Sequence, residues 1–261
     1  MSDTESARSK KTAVKAALSG RNGHVVKNTI LLGLPPKECA AIFSKLTFVS
    51  LPSAIVLNEA GERIKFAFFV NDGLASILRV MGDGKSVEVG LCGQEGFIGL
   101  PLTAGFTSSP TRTIMQVEGS AFRVSAKDFS AALRECPTLA RSLQRFSQEL
   151  ALQSEHVATC NRLHLIDERL VRWLLMSQDR LGGSQVPLTQ TFLAYMLGTR
   201  RASVTVAAGD LQKAGLISYT RGRMKIENRA GLEDAACECY ETLTQQTEKW
   251  RQEASKNERE R

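Results

Sequence analysis

Apolar and polar positions follow two different periods along this chain, and the change between them divides it. From about Phe48 to Val124 the pattern is that of strands, short runs broken by Gly, Asn and Asp. Alternation is clearest at Ser86, Val87, Glu88, Val89, Gly90 and Leu91, and Gly82-Asp83-Gly84 just before it is a hairpin turn signal. Further strands are expected at 113–117 and 121–124. Eight or so short strands over about 75 residues predict a β-roll or jelly-roll barrel. Ahead of them, residues 30–46 read as a turn followed by a short amphipathic helix. Residues 1–27 hold many Lys, Arg, Ser and Thr and few large apolar groups, so a solvated basic tail is expected there.

Past Cys136 the period lengthens to that of helices. Leu139, Leu143, Phe146, Leu150, Gln153, Val157, Cys160 and His164 step by threes and fours, a heptad stripe over nearly four heptads. We read it as a parallel dimer seam, with Gln153 setting register; the alternative is a helix packed only on its own barrel. A second helix starts near Asp167, with Leu170, Trp173, Leu174 and Leu175 inward, and Gly182-Gly183 ends it. Residues 188–211 then form two short helices pinched at Gly198, where a tight turn needs a positive φ. Thr189 is the expected N-cap of the first. The second opens with Arg200 and Arg201 and turns Arg201, Ala202 and Thr205 outward. A helix that begins basic and carries small polar groups can lie in a major groove. A hairpin around Thr220-Arg221-Gly222-Arg223 would complete a winged helix-turn-helix. From residue 230 to about 256 one more helix is expected, with Leu232, Ala235, Ala236, Cys239, Tyr240 and Leu243 on one side. The fold class is α+β, divided into a tail at 1–27, a barrel at 28–136, a connecting dimerisation helix at 137–166, a winged domain at 167–229 and a helical extension at 230–261.

Composition changes this picture little. Over 261 residues the chain is 43% hydrophobic and 23% charged, ordinary for globular proteins. A net charge of +7 suits a polyanionic partner. Between Arg200 and Arg229 seven basic residues (Arg200, Arg201, Lys213, Arg221, Arg223, Lys225, Arg229) face only Asp210 and Glu227, which places the expected phosphate contacts. No apolar run approaches the roughly 20 residues that span a bilayer, and the N-terminus has no apolar signal core, so a cytoplasmic protein is expected. Cys39, Cys92, Cys136, Cys160, Cys237 and Cys239 are scattered without a C-x-x-C pair and read as reduced thiols. On a helix Cys237 and Cys239 would point to different faces, which argues against joint metal binding. No metal or cofactor is therefore expected, and His156 and His164 read as structural or surface groups. No nucleophile–base pairing or P-loop stands out, so an enzyme is not expected; Gly93, Gly96 and Gly99 follow a strand but open no helix.

The stretch VEVGLCGQEGFIGLPL, the later SPTRTIMQVEGSAFRVS and the helix-turn-helix together resemble the Crp/Fnr family of bacterial transcription regulators, over roughly residues 30–230 and in the family's order of parts. The resemblance implies a homodimer on double-stranded DNA, with RNA polymerase and a small-molecule effector as further partners and no membrane. In members that bind cyclic AMP, a carboxylate after the Phe-Ile-Gly turn holds the ribose and an Arg-Ser or Arg-Thr pair holds the phosphate. Here Gly99 is followed by Leu100, while Arg112-Thr113 occupies the phosphate position. Leu100 cannot accept the ribose hydroxyl, and leaving that group unpaired costs on the order of 1–3 kcal/mol. Cyclic AMP is therefore not expected, and Gly99, Arg112 and Thr113 remain as effector candidates. Arg112 either meets another anion or braces its loop through an ion pair.

The iron–sulfur branch would need an N-terminal cysteine cluster, absent from residues 1–38, and the haem branch would need axial ligands that the three histidines do not suggest. By position Arg201 matches the arginine that relatives set against guanine. Ser203 and Thr205 offer hydroxyls to phosphate or base, Thr189 and Gln190 would position on the DNA backbone, and Arg200, Arg221 and Arg223 would add phosphate contacts. Ala202 and Val206 replace the Glu and Arg of the cyclic-AMP branch, so base preference should differ. The rival expectation is a ligand-sensing interaction protein whose winged domain meets protein rather than DNA.

Overall fold

The computed structural model describes residues 23–220 and 222–259. Most of the expected tail, and Arg221 in the expected wing, lie outside them. Two short helices, α1 (Thr29–Leu32) and α2 (Pro36–Phe43), lead into six strands: β1 (Thr47–Leu51), β2 (Val56–Asn58), β3 (Phe66–Val80), β4 (Ser86–Cys92), β5 (Phe97–Ile98) and β6 (Arg112–Ser125). They form one antiparallel sheet in the order β1-β6-β3-β4, with β2 added on β6 and β5 on β3.

The expected short strands are thus fewer and longer. The segments expected at 113–117 and 121–124 are one strand, β6. It bends beside β3 without breaking because two glycines meet there. A Cβ on Gly119 would fall 2.0 Å from the Asp72 carbonyl, and one on Gly73, at φ 82°, would fall 2.6 Å from the Glu118 carbonyl. The register shifts between Val70 and Leu74 absorb the curvature.

The roll is filled by aromatic rings. Phe97 stands 4.8 Å from Phe69 and 4.9 Å from Phe129, which comes from α3 (Ala126–Glu135). Burying each such side chain contributes about 1.5–3 kcal/mol. The 27-residue α4 (Pro137–Leu163) closes the roll, and here the dimer-seam expectation needs correcting. Leu139, Leu143, Phe146, Gln153, Val157 and Cys160 are buried within their own chain. Gly90 and Gly96 make the room, since a Cβ at either would run into Leu150 or Phe146. Gln153 accepts a hydrogen bond from the Leu91 amide rather than setting register with a second chain. The face of α4 that stays exposed carries Arg141, Gln144, Gln148, Ala151, Glu155 and Ala158.

The second half of the chain packs directly on the sheet. In α5 (Ile166–Leu181) every residue from Leu170 to Ser177 is buried. Leu170, Trp173 and Leu174 share one apolar cluster with Leu74, Leu91 and Val117 of the roll on one side and Leu193, Val204, Ala208 and Leu211 on the other. After β7 (Gln185–Val186) come α6 (Gln190–Met196), α7 (Arg201–Lys213), β8 (Ile217–Thr220) and β9 (Arg223–Ile226), the strands ordered β7-β9-β8. The single C-terminal helix expected from 230 is two, α8 (Arg229–Asp234) and α9 (Glu238–Arg259). The break lets α9 fold back along α4, where Arg251 pairs with Glu149 at 2.9 Å. No helix among the described residues is long and apolar enough to cross a membrane.

Candidate nucleic-acid interface

Short-range chemistry builds the helix-turn-helix as expected. The Thr189 hydroxyl caps α6 by accepting from the Phe192 amide at 3.2 Å. Gly198 takes φ 59° between the helices. Leu193, Ala194 and Met196 of α6, with Val204, Ala207, Ala208 and Leu211 of α7, point inward. Arg201, Ala202, Thr205 and Val206 stand exposed along the opposite side of α7, preceded by the exposed Arg200 at its N-cap. Thr205 donates to Gln190 at 2.8 Å or to the Arg201 carbonyl at 3.0 Å, which ties the two helices together beside that face. Ser203 is half-buried.

The tally of basic groups changes once partners are seen. Lys213 pairs with Asp210 at 2.9 Å and Lys225 with Glu227 at 2.6 Å. Arg229 is bound to Asp179 at 2.7 Å and Glu233 at 2.8 Å, and it donates to the Tyr240 hydroxyl at 2.6 Å. It therefore joins α5, α8 and α9 and is not a free phosphate donor. Burial and the Asp179 carboxylate push the Tyr240 hydroxyl up to about 12. Among the described residues Arg200, Arg201 and Arg223 make no ion pair.

The effector candidates each have a place in the roll. Gly99, at φ 115°, starts the 3-10 turn Leu100–Ala104 and lies over Ala67, while the neighbouring Ile98 pairs with Phe68. Arg112 pairs with Leu78, at the other end of β3. Its Nε lies 2.8 and 3.0 Å from the two Glu59 carboxylate oxygens, and that hydrogen bond holds the Glu59 carboxyl below its usual range. Of the two roles left open for Arg112, bracing is the one observed. Thr113 is buried in the sheet, and Leu100 packs against the roll core.

Two features escaped the sequence reading. The first is Glu88, which lies in the alternating run of β4 on the face shared with Ser86. That face is covered by α5, and Glu88 is buried with Ser76 Oγ at 2.6 Å and Trp173 Nε1 donating at 2.9 Å. Burial pushes its carboxyl up to about 7, against the opposing pull of these two donors and of Arg172 and Arg180. The second is a cleft of about 860 Å³ between the β3–β4 hairpin and the helix-turn-helix, lined among others by Lys85, Val87, Arg169, Tyr195 and Arg200. The turn itself rests on the hairpin, since a Cβ on Gly198 would lie 3.1 Å from Val87.

The cysteine reading is overturned in one respect. Cys237 lies in the break between α8 and α9, not on a helix, so it and Cys239 face the same point.

Residues 168–235 match a family described as the Crp-like helix-turn-helix domain. The chain is similar to the global nitrogen regulator of a Synechocystis species, with 23% identity over 212 residues, 75% of this chain and 94% of that protein. Its fold is similar to FixK2 from Bradyrhizobium japonicum, with TM-score 0.64 and 17% identity, covering 74% of this chain and 98% of the other. It is likewise similar to a CRP-family transcriptional regulator from Thermus thermophilus, with TM-score 0.59 and 19% identity, covering 72% and 96%.

Proposed function

We infer that a chain with the Crp/Fnr regulator fold and a Crp-like helix-turn-helix domain is a sequence-specific DNA-binding transcription regulator of that family, and that it binds as a two-fold pair. The observation that carries this reading is the outer face of α7. It is free of intramolecular packing, and its first turn presents two arginines, Arg200 and Arg201, with no acidic partner among the described residues.

In a major groove Arg201 would take a bidentate contact to guanine, and the exposed Val206 would suit a thymine methyl. Arg200, Ser203 and Thr205 would meet phosphate or base edge. Thr189 and Gln190 would rest on the backbone at the start of α6, and Arg223, with Arg221 beside it in sequence, would touch phosphate from the wing. Pairing would use the exposed face of α4, because the apolar stripe is spent on the chain's own roll. Two such chains would set their α7 helices one helical turn apart on a nearly palindromic site.

The proposed domain limits follow the same logic, with a roll at 28–136, the connector at 137–166, the winged domain at 167–229 and an extension beyond. Effector control, on this reading, passes through the contact of α5 and α6 with the sheet rather than through a cyclic nucleotide at Gly99, Arg112 and Thr113. Selection of bound fragments from a random DNA library, followed by gel shifts over a salt series, tests the proposal. A two-fold consensus whose binding weakens steeply with salt is expected. Failure to enrich any sequence at low salt would refute it.

A further inference from the structure

The described residues hold a group of side chains that DNA binding does not use, where the end of α4 meets the α8–α9 break. The Cys160 and Cys237 sulfurs are 3.6 Å apart, Cys239 Sγ is 3.6 Å from His164 Nδ1, and all four donor atoms lie within 4.8 Å of one another. Cys160 and His164 sit four residues apart at the end of α4, so they share a face. The three cysteines are buried and form a cluster of their own, separate from both large apolar cores, so packing alone does not account for them.

We propose that Cys160, His164, Cys237 and Cys239 form a closed tetrahedral site for a single divalent metal ion of the zinc class. Zinc–sulfur bonds of about 2.3 Å in a tetrahedron set sulfurs about 3.8 Å apart, close to the 3.6 Å between Cys160 and Cys237. Such tight convergence encloses one ion and leaves no space for the bridging sulfides of an iron–sulfur cluster.

The surroundings complete the site. The other ring nitrogen of His164, Nε2, lies 3.2 Å from the Glu238 carboxylate, the partner that orients a metal-binding imidazole and makes it more basic. Three thiolates and one divalent ion leave a net negative charge. The buried Arg172 supplies the counter-charge, because it makes no ion pair among the described residues, its Nε lacks a partner, and its charge acts on Cys160. The ion would act as a structural staple, fastening α9 to the end of α4. Full coordination by protein leaves no open position for catalysis.

The test uses the full-length protein, isolated under reducing conditions, stripped with a chelator and titrated with Co²⁺. One Co²⁺ per chain should bind, with thiolate-to-metal charge transfer and the visible bands of tetrahedral sulfur ligation, and Zn²⁺ should displace it. C237S and C239S should each weaken binding by at least about 100-fold, and E238Q by about 10-fold through loss of the imidazole's partner. Circular dichroism of the metal-free variants checks that they are folded, and the wild-type titration stands without them. Failure of wild-type protein to bind Co²⁺ stoichiometrically would overturn the proposal. So would a Cys160–Cys237 disulfide found by mass spectrometry after thiol alkylation. Neither readout depends on DNA, so loss of operator binding leaves this result standing, and the converse also holds.

Discussion

Arg201 and Arg223 belong to one motif but should fail in different ways. Arg201→Ala should cost about 1–3 kcal/mol on the preferred site and flatten discrimination at one base position. Arg223→Ala should weaken all sequences alike and lower the salt slope by about one. Titrations on specific and random duplexes separate the two, and identical losses on both duplexes for both variants would contradict the assignment. Glu88 gives a residue-scale expectation of another kind. Its carboxyl sits at about 7 when folded against an ordinary 4.5, so between those values the native chain holds a proton that the unfolded chain has released. Stability should therefore fall as pH rises through that window, by up to about 3 kcal/mol, with the cost fully present above it. Melting curves between about pH 5 and 8 should show this slope in the wild type and a flatter one in Glu88→Gln. An unchanged slope in the variant would rule out Glu88 as its source.

At the scale of elements, what the sequence reveals depends on how local the signal is. The helix-turn-helix was legible because Thr189 and Gly198 each act on their own backbone, and both sit at the cap and turn where expected. The stripe on α4 was legible as a stripe but not as to its partner. Spacing by threes and fours is the same whether a helix faces a second chain or its own sheet. The deciding signal was elsewhere, in Gly90 and Gly96, whose missing side chains admit Leu150 and Phe146. The same difficulty hid Glu88, because alternation says which residues share a face and not which face α5 covers. The cysteine site was hidden by a helix break at 235–237 that has no strong local mark. The turn itself can be tested. Gly198→Ala places a side chain in the left-handed region, which costs about 1–2 kcal/mol, and pushes it toward Val87. Denaturant unfolding should record that loss, together with weaker operator binding.

For the whole molecule, the proposed pairing would use the exposed face of α4. Ala151 lies in its middle, and a charge there on each chain would face its copy. Ala151→Asp should turn a dimer into a monomer in sedimentation, reduce operator affinity and leave the melting temperature of the folded chain nearly unchanged. A variant that remains dimeric would move the interface elsewhere. A different consequence follows from the apolar cluster that runs from Leu74, Leu91 and Val117 through Trp173 to Leu211. The reading head has no private interior. Heating should accordingly give one calorimetric endotherm instead of two, and a fragment cut after the connector should come out of the cell as insoluble material.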